Sequence, residues 1–393
     1  MANTILTPTA VTREALRILH QKLNFVGTIT RDYDSSFAQS GARIGDTLKI
    51  RKPNQFTVRS GANISTQDVT EQSVSLQISE LKGVDVQFSS TELTLDLDDF
   101  SARILDPAMS VLAANIEADA MSMYKDVANS VWNGGSALTL AKVLAGRKIL
   151  QNALAPLNAR TANLNTQDNV DMVTDTKGLF QDSTAIAEQY REGYMGRTAG
   201  FDFMENTLWP AHTRGAANGS YLVNDTYAAG DTTITVDTGT GAAKKGDVIT
   251  FASVNRVHPE SKISTGIAFQ NVVAADYAGG AGDISLAIPM YASGPLQNVD
   301  ALPADNAAVT FLGTASTAVG TSLLYQSGAF AFATADLQMP NGVDFAAREV
   351  MDGISLRIVR DYDISTDNFP CRIDVLYGYK TLRAQLACRL HNN

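Results

Sequence analysis

GISLRIVRDYDISTDNFPCRIDVLYGYKTLRAQLACRL, residues 353–390, is the stretch that decides how the chain is interpreted. In ISLRIVRDYDIS (354–365), apolar residues recur at every second position, which is typical of a β-strand with one apolar face. CRIDVLYGYKTL (371–382) predicts a second strong strand, and AQLACRL (384–390) predicts a short strand or tail. FAFATADL (330–337) is also strand-like, so this end of the chain is predicted to be rich in β-structure.

The region before these strands, from residue 218 to about 316, is rich in Gly, Ala, Thr, Asp and Val. Short β runs separated by turn residues predict a small antiparallel barrel or sandwich. Since mixed helix and strand patterns continue on both sides, this is interpreted as an inserted domain, which is tolerated where the two ends lie close together. The runs are TTITVD (232–237), GDVITFA (246–252), AFQNVVAAD (268–276), DISLAI (283–288) and AAVTFL (307–312).

The strongest helical pattern spans residues 106–132, where Pro107 suits the first position of a helix. Apolar residues recur at intervals of three and four, which indicates one packed face. A second helix is predicted over 136–157, a short buried strand over 168–176 and a further helix over about 178–193. The stripe of the first helix is Leu105, Met109, Leu112, Ile116, Ala120, Met123 and Val127.

Residues 47–90 are predicted to form a long two-stranded hairpin, because apolar and polar residues alternate in both halves. Its tip, RSGANISTQDVTEQS (59–73), is polar. An isolated hairpin is only marginally stable in water, so we expect this one to pack on a neighbouring subunit. The expected intersubunit contacts are the hairpin face, Phe56, Val58, Val74, Leu76 and Ile78, and the tip charges Arg59, Asp68 and Glu71.

The first 46 residues contain a short helical pattern followed by polar, glycine-punctuated sequence. They cannot bury enough apolar surface to form a domain, and we expect an arm that lies on another surface. Disorder is the competing interpretation for residues 31–45.

Composition narrows the class of protein. Charged residues make up 18% of the 393 residues, and the net charge is −10. So few charges predict a surface used in repeated contacts between copies, although a large monomer core explains part of the deficit. An acidic chain gains little from counterion release and is not expected to grip DNA. The sequence shows no signal-peptide pattern and no apolar run long enough for a membrane span.

No catalytic, cofactor-binding or metal site is predicted. The histidines His20, His212, His258 and His391 are scattered, and the chain has no HExxH, GxSxG or GxxxxGK[ST] pattern. DYDIST (361–366) lacks the spacing and glycine of an EF-hand, so its carboxylates are expected in solvated turns or intersubunit ion pairs. Cys371 and Cys388 lack a CxxC spacing and are predicted to be buried, reduced thiols.

One pattern in the C-terminal stretch resembles a known family. R-x-D-x-L-Y-G-x-x-x-x-R, leading to the end of the chain, is similar to the terminal strands of tailed-phage coat proteins. AGFDFMENTLWP (199–210), followed by KKGDVITFASV (244–254), resembles the Salmonella podovirus branch, whose members carry an insertion domain. The pattern is formed by Arg372, Asp374, Leu376, Tyr377, Gly378 and Arg383.

The resemblance implies an α+β chain with the HK97-type capsid fold and an inserted all-β, barrel-like domain. It also implies names for the parts of the chain. These are an N-arm (1–46), an E-loop (47–90), a P domain with the spine helix (91–135), an A domain (136–216 and 317–350), an inserted β domain (217–316) and C-terminal strands of the P and A domains (351–393).

The same resemblance implies a major capsid protein that forms pentamers and hexamers in an icosahedral head. The implied partners are copies of itself, a scaffolding protein, a portal protein, a decoration or cement protein, and packaged double-stranded DNA held without sequence-specific binding. No cofactor and no membrane are implied. The expected location is the virion shell, assembled in the cytoplasm of the host bacterium.

Two alternatives remain open at this stage. A tail or surface-layer subunit would share the low charge and the β content, but it would not form closed shells in electron micrographs. A cytoplasmic α/β enzyme with a β accessory domain would need titratable residues that converge, and the spacing of such residues indicates none.

Overall fold

The computed structural model describes residues 8–31, 47–59, 61–64, 66, 71–89, 105–176, 195–351, 353–364 and 368–392. The chain divides into two compact units. Each unit combines segments that are far apart in sequence, so neither folds from local contacts alone. The first unit is Met1–Ile50, Ser73–Met121 and Phe330–Leu382, and the second unit is Arg51–Gln72, Ser122–Ala329 and Arg383–Asn393.

The helices of the described residues are short to medium in length. Helix α1 begins at Pro8 and α3 has Pro107 in its first turn, as expected from the fixed φ of proline. The bounds are α1 Pro8–Lys22, α2 Phe25–Thr28, α3 Asp106–Met121, α4 Leu140–Asn152 and α5 Thr166–Thr176. A 3₁₀ turn, Ser122–Asp126, follows α3 directly.

Strands make up most of the regular structure that is described. The first ten are β1 Thr47–Arg51, β2 Ser73–Gln77, β3 Glu80–Ser89, β4 Ser130–Trp132, β5 Arg160–Leu164, β6 Arg197–Thr198, β7 Phe201–Glu205, β8 His212–Thr213, β9 Tyr221–Val223 and β10 Thr233–Asp237. The others are β11 Val248–Val257, β12 Ser264–Val272, β13 Gly282–Ser285, β14 Ala308–Phe311, β15 Ala318–Gln326, β16 Phe330–Ala335, β17 Phe345–Met351, β18 Ile354–Arg360, β19 Asn368–Thr381 and β20 Ala387–Asn392.

The long strand β19 organises the first unit. It pairs antiparallel with β3 over residues 368–377, with β18 over 371–374 and with β16 over 376–381, and β17 extends the sheet beyond β18. Successive side chains of β19 from Ile373 to Tyr377 are all buried. Both faces of a central strand must then be covered, and helix α1 packs against β17, β18 and α3.

Strands β1 and β2 pair with each other and contribute to a hydrophobic core of the first unit. Leu76 and Ile78 are fully buried there, against alanines of β16. The buried members of this core are Ile50, Leu76, Ile78, Ala331, Ala333, Ala335, Leu376 and Leu382.

The second unit contains a mixed sheet in the order β4-β20-β15-β5-β7-β6, with β8 paired to one end of β15. The pairs β20–β4 and β5–β7 are parallel, and β15 pairs antiparallel with β20 and β5. Helix α4 lies close to this sheet at Gly146, where an added Cβ would stand 2.5 Å from a methyl carbon of Leu324. The glycine therefore permits the close packing of helix on strand.

The inserted segment forms a six-stranded antiparallel sheet in the order β12-β11-β14-β9-β10-β13. Its hydrophobic core is made of residues between Ala217 and Phe311. The largest buried side chains in it are Tyr221, Tyr227, Phe251, Phe269 and Phe311. The β runs predicted from sequence thus lie in one sheet with its own core.

Two element predictions are corrected by the structure. Residues 168–176 belong to helix α5 and not to a buried strand, because Asn165 accepts the N–H of Asp168 at 2.7 Å and caps the helix. The helix predicted over 106–132 ends at Met121, since residues 130–132 pair as β4 with β20. The helix predicted over 178–193 lies outside the described residues, and that predicted over 136–157 is α4.

Candidate intersubunit surface

The segment that follows β1 presents apolar side chains to solvent. Residues 52–59 form no helix or strand, and Phe56 is 60% exposed and Val58 95% exposed. Ile64, further along the same segment, is 85% exposed. Exposed apolar surface favours association, because removing it from water stabilises a complex by about 25 cal/mol per Å². We call the described residues of this segment, 52–59, 61–64 and 66, the exposed loop.

Arg59 is held by the backbone of this loop. Its guanidinium donates to the carbonyl oxygens of Gly61 and Asn63, the latter at 2.9 Å. Gly61 has a φ of +91°, a conformation that glycine adopts without strain. The charge of Arg59 is therefore fixed in place while its side chain remains exposed.

Glu71 also has a partner within the chain. Its carboxylate lies 3.6 Å from the guanidinium of Arg51, and both side chains are largely exposed. Such exposed pairs contribute little to stability, so the charge is accessible to a competing partner. Asp68, the third charge predicted at the tip, lies outside the described residues.

The apolar residues predicted for the second half of the hairpin face differ from those of the exposed loop. Leu76 and Ile78 are fully buried in the core of the first unit, and Val74 packs against that core. The sequence alternation identified the apolar face correctly, but this face is covered by the chain's own strands. Intersubunit contact stays a prediction for all eight residues, and the exposure of Phe56, Val58, Arg59 and Glu71 favours it for these four.

A second exposed apolar site was missed at the sequence level. Between β18 and β19, Ile364 is 87% exposed and Tyr362 is 43% exposed. Tyr362 lies 4.9 Å from the ring of Phe369, measured between ring centroids, and the guanidinium of Arg360 lies 5.2 Å from the same ring. In the sequence DYDIST (361–366), the aspartates suggested a solvated turn. Alternation of apolar and polar residues could not show that Ile364 is exposed.

A buried polar network lies in the second unit, where the insertion meets the mixed sheet. Asp247 accepts from Nε2 of His212 at 3.0 Å, and Nδ1 of His212 lies 3.2 Å from the Tyr124 hydroxyl. The other carboxylate oxygen accepts the backbone N–H groups of Gly215 and Lys244, at 3.0 and 2.9 Å. The network therefore ties the insertion to elements that flank it in sequence.

Electrostatics in this network follows from burial and hydrogen bonding. Burial raises the pKa of Asp247, but the bonds from His212, Lys244 and Gly215 outweigh it and lower the pKa below its usual value. Burial, together with the charge of Arg389, lowers the pKa of His391 well below its usual value. Arg389 is itself fully buried and donates to the carbonyl of Gly246 at 2.8 Å.

The two cysteines are free and buried, and burial raises the pKa of each thiol to about 12. Within the described ranges, no group of three or more His, Cys, Asp or Glu side chains is placed to hold a metal ion. None of the helices described there is both long and apolar enough to cross a membrane.

A family model described as "P22 coat protein - gene protein 5" matches residues 7–388. No curated protein matches the chain.

Solved structures similar to the chain include one from Mycobacterium phage Che8, which is 11% identical with a TM-score of 0.48 and covers 94% of this chain and 90% of that one. The capsid structure of the cyanophage P-SCSP1u is 11% identical with a TM-score of 0.44, over 90% and 84% of the two chains. The CUS-3 coat protein I-domain is 27% identical with a TM-score of 0.20, and it covers 25% of this chain and 98% of its own. Since the family model spans nearly the whole sequence, the chain belongs to the P22 coat protein family.

Proposed function

We propose that the chain is a major capsid protein, which assembles with copies of itself into the shell of a phage head. The observation that carries this proposal is the match of the coat-protein family model to residues 7–388. A local motif would support a role for one region only, whereas this match supports the same role for both units of the chain.

The exposed loop supplies a physical mechanism for assembly. Fully burying a side chain of the size of Phe56, Val58 or Ile64 contributes about 1.5–3 kcal/mol relative to exposure. In a closed shell each subunit both gives and receives such contacts, so modest energies at each contact add up over many interfaces. The role proposed is structural and needs no catalytic group.

We further propose that the shell is icosahedral and built from pentamers and hexamers. The domain assignment is part of this proposal. It comprises the N-arm (1–46), E-loop (47–90), P domain with spine helix (91–135), A domain (136–216 and 317–350), insertion (217–316) and C-terminal strands (351–393). The separate hydrophobic core of the insertion supports treating that segment as a module.

The proposed partners follow from this role. They are a scaffolding protein, a portal protein, a decoration or cement protein, and double-stranded DNA enclosed without sequence-specific binding. The net charge of −10 agrees with a shell that encloses DNA without binding it tightly. Assembly would take place in the cytoplasm of the host bacterium.

Electron microscopy of the purified chain, alone and co-expressed with its neighbouring reading frames, tests the proposal. Closed shells of uniform diameter are expected. A chain that stays monomeric in both preparations, at concentrations where coat proteins assemble, would contradict it.

Charge reversal tests the role of the exposed loop in assembly. Arg59→Glu and Glu71→Arg should each reduce shell yield by disturbing a charge at the interface, without unfolding the subunit, because both side chains are exposed. Glu260→Arg, at an exposed acid on the insertion, is the control. Normal assembly of both loop variants would remove the loop charges from the proposed interface.

A further inference from the structure

A cavity of about 360 Å³ lies within the second unit. One wall is the start of the exposed loop, from Lys52 to Gln55, and another is formed by the insertion around Arg256. Arg383 closes a third side. Three cationic side chains therefore line a single small cavity.

The cations of this cavity have no acidic partner among the described residues. No Asp or Glu lines the cavity there, and none forms an ion pair with Lys52, Arg256 or Arg383. Arg256 donates to the side-chain oxygen of Asn129, which is neutral. Glu71 is next in sequence to Gln72, which lines the cavity, but its carboxylate pairs with Arg51.

This arrangement is unfavourable for the isolated chain. Burial, and then the charge of Arg383, lower the pKa of Lys52. Burial lowers the pKa of Arg256 as well. Like charges held together in a partly buried site repel one another, and an anion placed among them would relieve this cost.

We infer that this cavity binds a carboxylate side chain of a second copy of the chain when subunits assemble. The inference rests on the proposed function, since it assigns a contact within the shell. It concerns Lys52 and Arg256, which belong to no sequence pattern discussed above, and Arg383, which belongs to the C-terminal pattern but was given no contact there.

Two observations favour a carboxylate of a second copy over a phosphate of nucleic acid. The chain carries 41 acidic against 31 basic residues, so another copy is a rich source of carboxylates. The cavity also has apolar walls, formed by Phe269, Ile288 and Tyr291, which suit a protein segment better than a hydrated sugar-phosphate backbone.

The position of the cavity agrees with this occupant. Residues 52–55 line it, and the chain continues directly into Phe56 and Val58, which are exposed. Gln55 accepts from the Lys262 ammonium at 3.3 Å, so the start of the loop is fastened to the insertion. A neighbour that covers the exposed loop would thus lie next to residues that line the cavity.

Lys52→Met in the full chain tests the inference, because the change keeps the length of the side chain and removes its charge. The midpoint of thermal unfolding of the unassembled subunit should rise by about 2 °C, as a desolvated and repelled charge is lost. The concentration needed for assembly, followed by light scattering, should rise about fivefold as the carboxylate loses a partner. The subunit would thus become more stable while assembly becomes weaker. A residue with only a structural role would change stability and assembly in the same direction.

Lys148→Met is the matched control, since Lys148 is exposed on α4 and does not line the cavity. It should change neither readout. Arg383→Gln is the second variant and should impair assembly in the same way, so the test does not depend on one substitution. Assembly of both cavity variants at the wild-type concentration would overturn the inference.

Competing probes identify the source of the anion. Hexaglutamate should slow assembly of the wild-type chain and have little effect on Lys52→Met. The opposite result is that short duplex DNA or inorganic phosphate inhibits assembly in a way that depends on Lys52, while hexaglutamate does not. That result would identify the bound group as a phosphate and would overturn the inference. If the wild-type chain forms no shells under any condition, the proposed function fails, whereas shells of normal yield from both cavity variants refute this contact alone.

Discussion

Glu117 is a single residue that fastens two distant segments of the first unit. Its buried carboxylate accepts the backbone N–H groups of Phe25 and Val26, at 3.0 and 3.1 Å. These N–H groups open the short helix α2, which has no side-chain cap at Asn24. The acid on α3 therefore satisfies donors that a helix start leaves unpaired.

Glu117→Ala should destabilise the subunit by about 2–4 kcal/mol, because two buried N–H groups lose a charged acceptor. Glu117→Gln keeps one acceptor oxygen and should cost less. Urea unfolding of the unassembled chain measures both, and Glu260→Ala, an exposed glutamate, is the control. Equal stability of Glu117→Ala and the control would show that this anchor is not needed.

Asp247 makes stability depend on pH. Its pKa is lower in the folded chain than in the unfolded chain, so its contribution is complete above the unfolded carboxyl pKa of about 4 and is lost as pH falls through the folded pKa. Asp247→Asn should cost about 1–3 kcal/mol at neutral pH. The difference from wild type should shrink below about pH 4.

Urea unfolding over a pH series measures this difference. Asp283→Asn, at an exposed site in the same insertion, should give a small difference at every pH. A gap between wild type and Asp247→Asn that stays constant through the acid range would mean that the carboxylate is not the group responsible.

At the level of elements, sequence patterns located strands better than helices. The strand predicted over 371–382 is confirmed as β19, because Cys371, Ile373, Val375 and Tyr377 alternate along the sequence and are buried on one face. The segment 168–176 misled because Val170 and Met172 alternate, while the capping by Asn165 that makes it helical is a single side-chain bond. Strand β4 could not be predicted, since its pairing with β20 joins residues more than two hundred positions apart.

Gly378 allows β2 to approach β19 closely. An added Cβ there would stand 2.1 Å from the carbonyl oxygen of Gln77 and 3.0 Å from the Cα of Ile78. These are backbone atoms, which cannot turn aside as a side chain can. The glycine in the L-Y-G pattern is thus explained by close approach of β2 to β19.

Gly378→Ala should therefore destabilise the first unit by about 1–3 kcal/mol and displace β2. Amide hydrogen exchange should increase at residues 73–78, while the insertion keeps its protection. Gly219→Ala is the control for the glycine change, because Gly219 lies on the insertion, has no positive φ and has no atom within 4 Å of an added Cβ. Unchanged exchange in β2 would refute the close-approach argument.

For the whole molecule, the α+β class predicted from the order of elements along the sequence is confirmed, and the chain belongs to the P22 coat protein family. Intersubunit contact by the candidate surface stays a prediction. Phe56 and Val58 are exposed as expected, but Leu76 and Ile78 are covered by strands of their own chain. Alternation reveals that a face is apolar, whereas the identity of its cover depends on contacts between distant segments, which no local pattern contains.

The insertion is the part whose independence can be tested most directly. Its core lies between Ala217 and Phe311, so a fragment of residues 217–316 keeps all of that core. We expect the fragment to unfold cooperatively and to give a dispersed amide proton spectrum. A spectrum typical of a random coil would contradict this.

The same fragment separates the insertion's own stability from the stability it gains in the full chain. It lacks His212 and Gly215, two of the donors to the Asp247 carboxylate, but it keeps the N–H of Lys244. Asp247→Asn should therefore cost less in the fragment than in the full chain, by about 1 kcal/mol or more. Equal losses of stability in the fragment and in the full chain would mean that Asp247 stabilises only the turn around Lys244. The network would then not couple the insertion to the mixed sheet.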